Sequence, residues 1–512
     1  MNKQSRTINS IYNIIVAVGC QILGALLGFV TKTIFIKLLG DTYNGMLGFF
    51  ANVISVLSLA ELGLGGAIIF ALYKPISENN IERLQSLMLF YKKIYYYISF
   101  IVLALGVVVL PFLPLLMKEV ANDNNIYLYY FIYLLNSVAS YLFIYKSALL
   151  NADQRNRIVR LVQTAYMILR NLIEIGVLLL THNFIAYLFV QLCCTILNNF
   201  TISVIANKLY PWLKTKAKTL PKEDVKKIFS DVKAVVCYKV GGVLLNNTDN
   251  ILITLILGVV AVGFYSNYMM FVALVMGVLE LTISALTGSV GNLNASVEIK
   301  KVKKIYNSIN FINFWLYSFC SIAVLALIDD VILLWLGDAR VLPLGVSFAL
   351  ATNLFVLGFL QGNMVFRNTT GLFRKTKYTL IITAILNILF SIGMGFAWGI
   401  AGIVFATSIA RLLTNFWYEP YILHKEVFQT SSRGYFIKVA KYCIVAVVAG
   451  AITYFVANLI PYMGFISILY KAGICLVIPN VILLLCFCKT SEFKDVLFRV
   501  KELLKRKTKV KN

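Results

Sequence analysis

Charge is scarce in this chain, and acidic charge scarcest: 22 Asp and Glu stand against 47 Lys and Arg, and charged residues make up only 13% of the 512 positions. With 60% hydrophobic residues and a mean hydropathy of +0.82, a soluble globule is excluded, because its surface would need far more charge. No G-x-x-x-x-G-K-[ST] run is present, which argues against an ATPase within the chain. Histidine is reduced to His182 and His424, both at the ends of apolar segments, where a solvated or interfacial position is expected. The nine cysteines include the pairs Cys193–Cys194 and Cys486–Cys488. No second Cys or His pair follows at zinc spacing, so they read as small buried hydrophobes, with no metal and no cofactor expected. A cleavable signal is also absent from the reading, since the polar start at 1–10 leads into a segment too long for an h-region.

What the chain has is long apolar runs. A helix rising about 1.5 Å per residue needs about 20 apolar residues to cross a bilayer. About fourteen runs qualify, near 11–36, 45–73, 94–117, 126–150, 158–180, 184–206, 234–257, 259–290, 305–328, 342–366, 378–398, 400–423, 439–459 and 465–488. Basic residues fall on alternate connections: at 3–6, 74–93, 146–160, 208–233, 300–304, 367–377, 425–441 and from Lys489 onward, with only Lys37, Lys118 and Arg340 on the other side. Such a bias sets orientation, so both termini are expected in the cytoplasm. The formal charge of +25 is then this bias plus attraction to anionic inner-leaflet lipid, and not a sign of nucleic acid.

The longest polar interruption, 208–233, contains Pro211 and Pro221 and reads as a basic cytoplasmic linker. It divides an N-terminal six-helix lobe (1–207) from a C-terminal one (234–424), followed by two additional helices (425–488) and a basic tail (489–512). A shift of 218 residues overlays Leu39-Gly40 on Leu257-Gly258 and Gly45 on Gly263, and brings Glu61 within one position of Glu280. An even number of spans in the first half lets both halves start from the same side, as parallel repeats require. The expected fold is an all-α polytopic membrane protein. Two interfacial stripes are expected beside it: Ile81, Leu84, Leu87 and Tyr91 on a short helix, and Phe493, Leu497, Val500 and Leu504 on the tail, with Ser491 as its cap. The outer connections are short, the largest at 329–343, where Asp329-Asp330 reads as a solvated acidic pair.

Ionisable groups inside a span are costly and mark function by default. They are Lys32, Glu61, Arg170, Glu174, Lys239, Asp249, Glu280, Arg411 and Lys471, and the long stems of Lys32, Lys239 and above all Lys471 can reach the interface. Lys239, Gly242, Asn246 and Asp249 recur at i, i+3, i+7 and i+10, one face of a helix that lipid cannot cover. Glu280, Ser284 and Thr287 form a similar stripe; so do Ser58, Glu61 and Gly65, and Gln21, Gly24, Gly28 and Thr31. Interhelical packing through amides is the plain alternative for these faces. Arg170 and Glu174, one turn apart, are placed for an internal ion pair. Arg411 has no carboxylate one turn away and needs a partner from elsewhere.

On the stretches 32–48, 249–250 with 263–265, 334–337, and 371 through 387 to 399–402, the chain resembles the Wzx-type polysaccharide repeat-unit flippases of the multidrug/oligosaccharidyl-lipid/polysaccharide exporter superfamily. The resemblance spans nearly the whole length. It implies two six-helix lobes around a central cavity plus two C-terminal helices. Its implied activity is flipping of an undecaprenyl-pyrophosphate-linked oligosaccharide across the cell membrane by alternating access, proton- or cation-coupled, for capsular, exopolysaccharide or O-antigen biosynthesis. Polysaccharide polymerase and glycosyltransferases are the implied protein partners. Lys32, Lys239, Arg411, Arg170 and Asn246 are then candidates for the pyrophosphate and sugar, with Asp249, Glu61 and Glu280 as coupling carboxylates. The cations are scattered here, where the family tends to a cationic cavity. Two rival readings are a drug or cation antiporter of the same superfamily, which wants a net-acidic, aromatic-lined cavity, and a membrane polymerase or ligase, which wants a large outer loop with catalytic residues. Without a catalytic cluster, transport is favoured over an enzyme.

Overall fold

A computed structural model describes residues 6–58, 64–120, 123, 125–215, 218–293, 299–370, 372, 375–376 and 378–498, with side chains for these except 6–18, 20–22, 64–67, 70, 214, 227, 229–239 and 281–293. Among the described residues the fold is all helical. Eleven helical segments among the described residues are long and apolar enough to cross a membrane.

Two compact units emerge, Met1–Gly263 and Phe264–Asn512. The first holds α1 (Arg6–Leu39), α2 (Asp41–Leu57), α3 (Leu64–Ser77), α4 (Ile81–Val109), the short α5 (Leu113–Leu116), α6 (Ile126–Tyr141), α7 (Ile144–Ala152), α8 (Asn156–Thr181), α9 (Phe184–Leu209) and α10 (Lys222–Leu257), and α11 (Val259–Leu293) begins in it. The second continues with α12 (Ile299–Leu336), α13 (Leu344–Thr369), α14 (Thr379–Leu413), α15 (Asn415–Leu423), a π-helical turn at His424–Phe428, α16 (Arg433–Asn458) and α17 (Phe465–Phe487).

The repeat suggested by the 218-residue shift has a backbone counterpart. Gly40 (φ 92°, ψ 179°) separates α1 from α2, and Gly258 (φ 95°, ψ 172°) separates α10 from α11 in the same conformation. L side chains rarely adopt that φ, so glycine permits both breaks. The contacts are reciprocal as well. A Cβ on Gly45 would meet Val259 O at 2.0 Å, and one on Gly263 would meet Asp41 O at 2.5 Å. Position 45 maps to 263 and 41 to 259, so each helix start is pressed against its equivalent and only glycine fits at either crossing.

One of the eleven candidate spans, Thr379–Phe428, has 50 residues. Straight, it would extend about 75 Å, far beyond the hydrocarbon core. Instead Gly399 (φ 59°, ψ −138°) folds α14 back on itself. Asn387 Nδ2 donates to Thr407 Oγ1 at 2.9 Å, Ser391 Oγ to Ile403 O at 3.4 Å, and Thr383 Oγ1 to Asn415 Oδ1 at 2.9 Å, the pattern of two antiparallel helices. The segment is a hairpin, in line with the separate runs at 378–398 and 400–423.

Several local expectations need correction. The stripe at 81–91 is no separate interfacial helix: it is the start of α4, capped by Asn80, whose side chain accepts from Arg83 N. Leu84, Leu87 and Tyr91 are buried against the unit, since a stripe continuous with an apolar helix packs inward. The tail helix at 491–498 is capped by Thr490, which accepts from Phe493 N at 3.4 Å, and not by Ser491; Val500 and Leu504 lie outside the described residues. The stretch at 329–343 is largely helical, with α12 running to Leu336 and a 3-10 turn at Asp338–Arg340. Asp329 accepts from Tyr268 Oη at 2.9 Å and Ser347 Oγ at 2.6 Å, and Asp330 pairs with Lys471 at 2.5 Å. Lys471 therefore does not snorkel; it is buried and neutralised, which costs less than an isolated charge. His424 is buried among Tyr306, Phe428 and Tyr435 rather than solvated, with Nδ1 2.9 Å from Pro420 O.

Candidate substrate site

The amino-acid pattern of α8 builds a polar space in the first unit. Asn156, Arg160, Gln163, Met167, Arg170 and Glu174 recur at i, i+4, i+7, i+11, i+14 and i+18, one continuous face of the helix. This face meets α9 through Cys194, Thr195, Asn198 and Asn199, and meets the break between α6 and α7. Together they bound a cavity of about 680 Å³.

The break has a cause. Leu142 is extended and Phe143 left-handed (φ 64°), which ends α6 and frees carbonyls of its last turn. Asn199 Nδ2 donates to Ala139 O at 3.0 Å and Ser140 O at 3.1 Å. Irregular backbone at membrane depth is tolerated where a cavity or side chains satisfy it, and both are present here. Ser140, Ser147 and Asn151 are thereby turned into the cavity wall. The side-chain carbonyls of Asn151 and Asn198 are buried and accept no hydrogen bond among the described residues, an unfavourable state that a hydroxyl donor would relieve.

Two arginines bracket this space, about 15 Å apart along α8. Arg160 is exposed at one end. Arg170 is half-buried, with Nε 3.6 Å from Glu174 Oε1, so the expected internal ion pair is present. Glu174 is only 2% exposed and is also hydrogen-bonded by Gln191. Alongside, Thr31 Oγ1 donates to Asn171 Oδ1 at 2.7 Å, which ties α1 to α8. On the exposed side of the same two helices runs an apolar groove of about 550 Å³, lined by Leu169, Ile173, Phe189, Val190 and Leu197 among others. Cys194 lines both spaces.

The other candidate residues are dispersed. Lys32 donates through Nζ to Asn44 Oδ1, and Asn44 Nδ2 donates to Gly263 O at 2.9 Å. In the second unit Arg411, 7% exposed, finds the partner that its own helix lacks in Asn353 of α13, at 2.6 Å. Asn246 is exposed and Asp249 half-buried on α10, and Glu280 is exposed on α11. Lys239 lies on α10 but its side chain, like Glu61 as a whole, is outside the described residues, as are the side chains of Gln21, Ser284 and Thr287. Of the candidate cations, Arg170 lines the α8 cavity. Arg160, Gln163, Asn198 and Asn199 do not stand out in the sequence, where Arg160 reads as a charge of the 146–160 connection. The polar spacing on α8 is the signal for Arg160 and Gln163, while Asn198 and Asn199 lie on α9.

Residues 10–287 match the family described as polysaccharide biosynthesis protein, more than half of the chain. The chain belongs to that family. No curated protein matches it by sequence. Among solved structures, this family member is similar to the lipid II flippase MurJ in an inward closed conformation, with 16% identity, a TM-score of 0.68, and 93% of this chain and 99% of that one covered. It is also similar to an inward-facing multidrug resistance MATE family transporter of the MOP superfamily, at 15% identity and a TM-score of 0.60, covering 80% and 98%. A third is a MOP superfamily transporter from Pyrococcus furiosus whose binding pocket is described as reversed in polarity, at 14% identity and a TM-score of 0.54, covering 80% and 94%. At these identities the likeness is one of fold. The chain is a multi-pass membrane protein of that fold, which this flippase and these transporters share.

Proposed function

We propose that the protein flips a polyprenyl-pyrophosphate-linked oligosaccharide from the inner to the outer leaflet for polysaccharide biosynthesis, by alternating access and without acting as an enzyme. The observation that carries this reading is the pairing on α8 and α9 of a polar, arginine-bearing cavity with an apolar groove that shares Cys194. Such a site fits a ligand with a sugar-phosphate head and a hydrocarbon tail. Arg170 and Arg160 would hold phosphate oxygens through charge-assisted hydrogen bonds, and the asparagine, serine and threonine side chains would bind sugar hydroxyls. Lys32, Lys239, Asn246 and Arg411 remain contacts for later steps of the passage, and Asp249, Glu61 and Glu280 the coupling carboxylates. The chain would cross the cell membrane about fourteen times, with both termini in the cytoplasm. Arginines in the cavity favour an anionic head over a cationic drug.

The test is deletion of the gene in its native cell. Lipid-linked oligosaccharide should accumulate on the cytoplasmic side and clear when the wild-type gene is returned. Normal surface polysaccharide with no accumulation would exclude the reading.

A further inference from the structure

Away from the α8 cavity, the first unit encloses a second one, about 510 Å³, between α4, α7, the end of α9 and the 3-10 turn Pro211–Lys214. It lies on the side that the charge bias places in the cytoplasm. Met88, Leu89 and Leu213 form an apolar wall, and Lys92, Lys146 and the indole of Trp212 line the cavity together with polar groups such as Gln85 and Asn207.

The turn that closes this cavity is pinned from two directions. Gln85 Nε2 donates to Trp212 O at 3.1 Å and to Thr215 Oγ1. Tyr210 Oη donates to Asp153 Oδ2 at 2.5 Å, and the Arg155 guanidinium sits 5.6 Å from the Tyr210 ring centre.

Lys146 is the unusual group. It is 8% exposed, and its Nζ donates to Ser203 Oγ at 2.6 Å. Its other neighbours are the ring faces of Phe143 and Tyr145, at 5.3 and 5.8 Å. The charged group acting on it is Lys92, of the same sign. Among the described residues no carboxylate pairs with either lysine, and the acidic groups at this end of α4 are already taken: Glu82 by Lys218 and Asp224 by Arg83. A buried ammonium has three donors and a desolvation cost that one hydroxyl and two rings offset only in part. One buried cation and the exposed Lys92 at the rim, beside an apolar wall at a membrane surface rich in anionic lipid, call for an anion with an apolar neighbour.

We propose that this cavity binds a phosphate group at the inner membrane surface, with Lys146 and Lys92 as its cationic contacts. Met88, Leu89 and Leu213 would face the ester region when the phosphate belongs to a lipid. The site shares no lining residue with the α8 cavity, and binding there stands or falls independently of the flipping reading.

The test uses the full chain in nanodiscs of phosphatidylcholine doped with phosphatidylglycerol. The lipid retained on the protein is identified by native mass spectrometry, with inorganic phosphate as a competing arm. The wild type should retain phosphatidylglycerol in preference to phosphatidylcholine. Lys146→Gln and Lys92→Gln should each lower retention at least about tenfold, which is about 1.4 kcal/mol, and Lys146→Arg should keep most of it. Lys92 is exposed at the rim, so Lys92→Gln carries the test if Lys146→Gln does not fold. Displacement by inorganic phosphate in wild type alone supports the site and makes its source a free anion; resistance to it makes the source a lipid headgroup. Equal retention in wild type and Lys92→Gln overturns the proposal.

Discussion

Arg170 on α8 and Arg367 on α13 are both arginines paired with a glutamate inside an apolar bundle, one in each unit, and their surroundings differ. Arg170 and Glu174 are one turn apart on the same helix at 3.6 Å, the arginine side chain is 39% exposed, and it lines a cavity. Its Nε makes no hydrogen bond among the described residues. Arg367 and Glu419 come from α13 and α15, are 1% and 2% exposed, and Asn368 Oδ1 accepts from Arg367 Nε and Nη2 at 3.3 and 3.1 Å. The same contrast extends outward. Around Arg367 polar groups close on one another, as in Tyr306–Asn363–Tyr435, where Oη donates to Oδ1 at 2.6 Å and Nδ2 to the second phenol at 3.0 Å. Around Arg170 they border open space. The lesson is that a charge in a span is no sign of function until its donors are counted: the satisfied pair is scaffold, and the pair with capacity left is a candidate for ligand.

The largest effect expected from this contrast is on stability in the second unit. Glu419→Ala leaves the Arg367 guanidinium buried without a counter-charge and should cost about 3–5 kcal/mol. Thermal unfolding in detergent should show a large fall or no folded protein at all. The double change Arg367→Met with Glu419→Leu should recover most of that loss, because an apolar pair of similar volume has no charge to desolvate. A single variant as stable as the wild type would erase the distinction between the two pairs.

Next comes Arg170. Arg170→Gln should destabilise less than Glu419→Ala, because the arginine removed is itself 39% exposed and the buried Glu174 carboxylate left behind keeps its Gln191 hydrogen bond, while flipping of lipid-linked oligosaccharide falls at least about tenfold through lost charge-assisted bonds. Arg170→Lys should restore part of it, because lysine keeps the charge and loses the bidentate fork. Folded protein with normal flipping in Arg170→Gln would move Arg170 into the scaffold class beside Arg367.

This difference marks the limit of what could be read from the chain. Apolar length and helical spacing are local properties, so the segment pattern, the Gly399 hairpin, the Gly40 and Gly258 breaks and the Arg170–Glu174 pair were all visible in it. Pairings across helices are not local. Arg367 reads as a loop cation because Glu419 lies 52 positions away, Lys471 as a snorkelling lysine because Asp330 lies on another helix, and His424 as interfacial because two of the three rings around it come from α12 and α16. The bend at Phe143 had no glycine or proline to announce it, and with it the α8 cavity stayed out of sight.

The smallest effect is the most direct comparison, between two asparagines that hold backbone or hydroxyl groups at helix junctions. Asn199 Nδ2 bonds Ala139 O and Ser140 O beside the α8 cavity. Asn387 Nδ2 bonds Thr407 Oγ1 and Ser391 Oγ inside the α14 hairpin, where all three residues are buried. Asn199→Ala leaves Ala139 O its bond from Leu142 N and frees Ser140 O beside the cavity, where water can replace the amide, so the loss should be that of an ordinary hydrogen bond, about 1 kcal/mol. Asn387→Ala leaves two buried hydroxyls beside a small void with no water in reach, and should cost about 2–3 kcal/mol from unmet hydrogen bonds and lost packing. Unfolding measured on both variants in the same detergent tests the ordering. Equal losses would mean that the α8 cavity is as dry as the hairpin, and the capacity assigned to Arg170 would then have no solvent-accessible space in which to act.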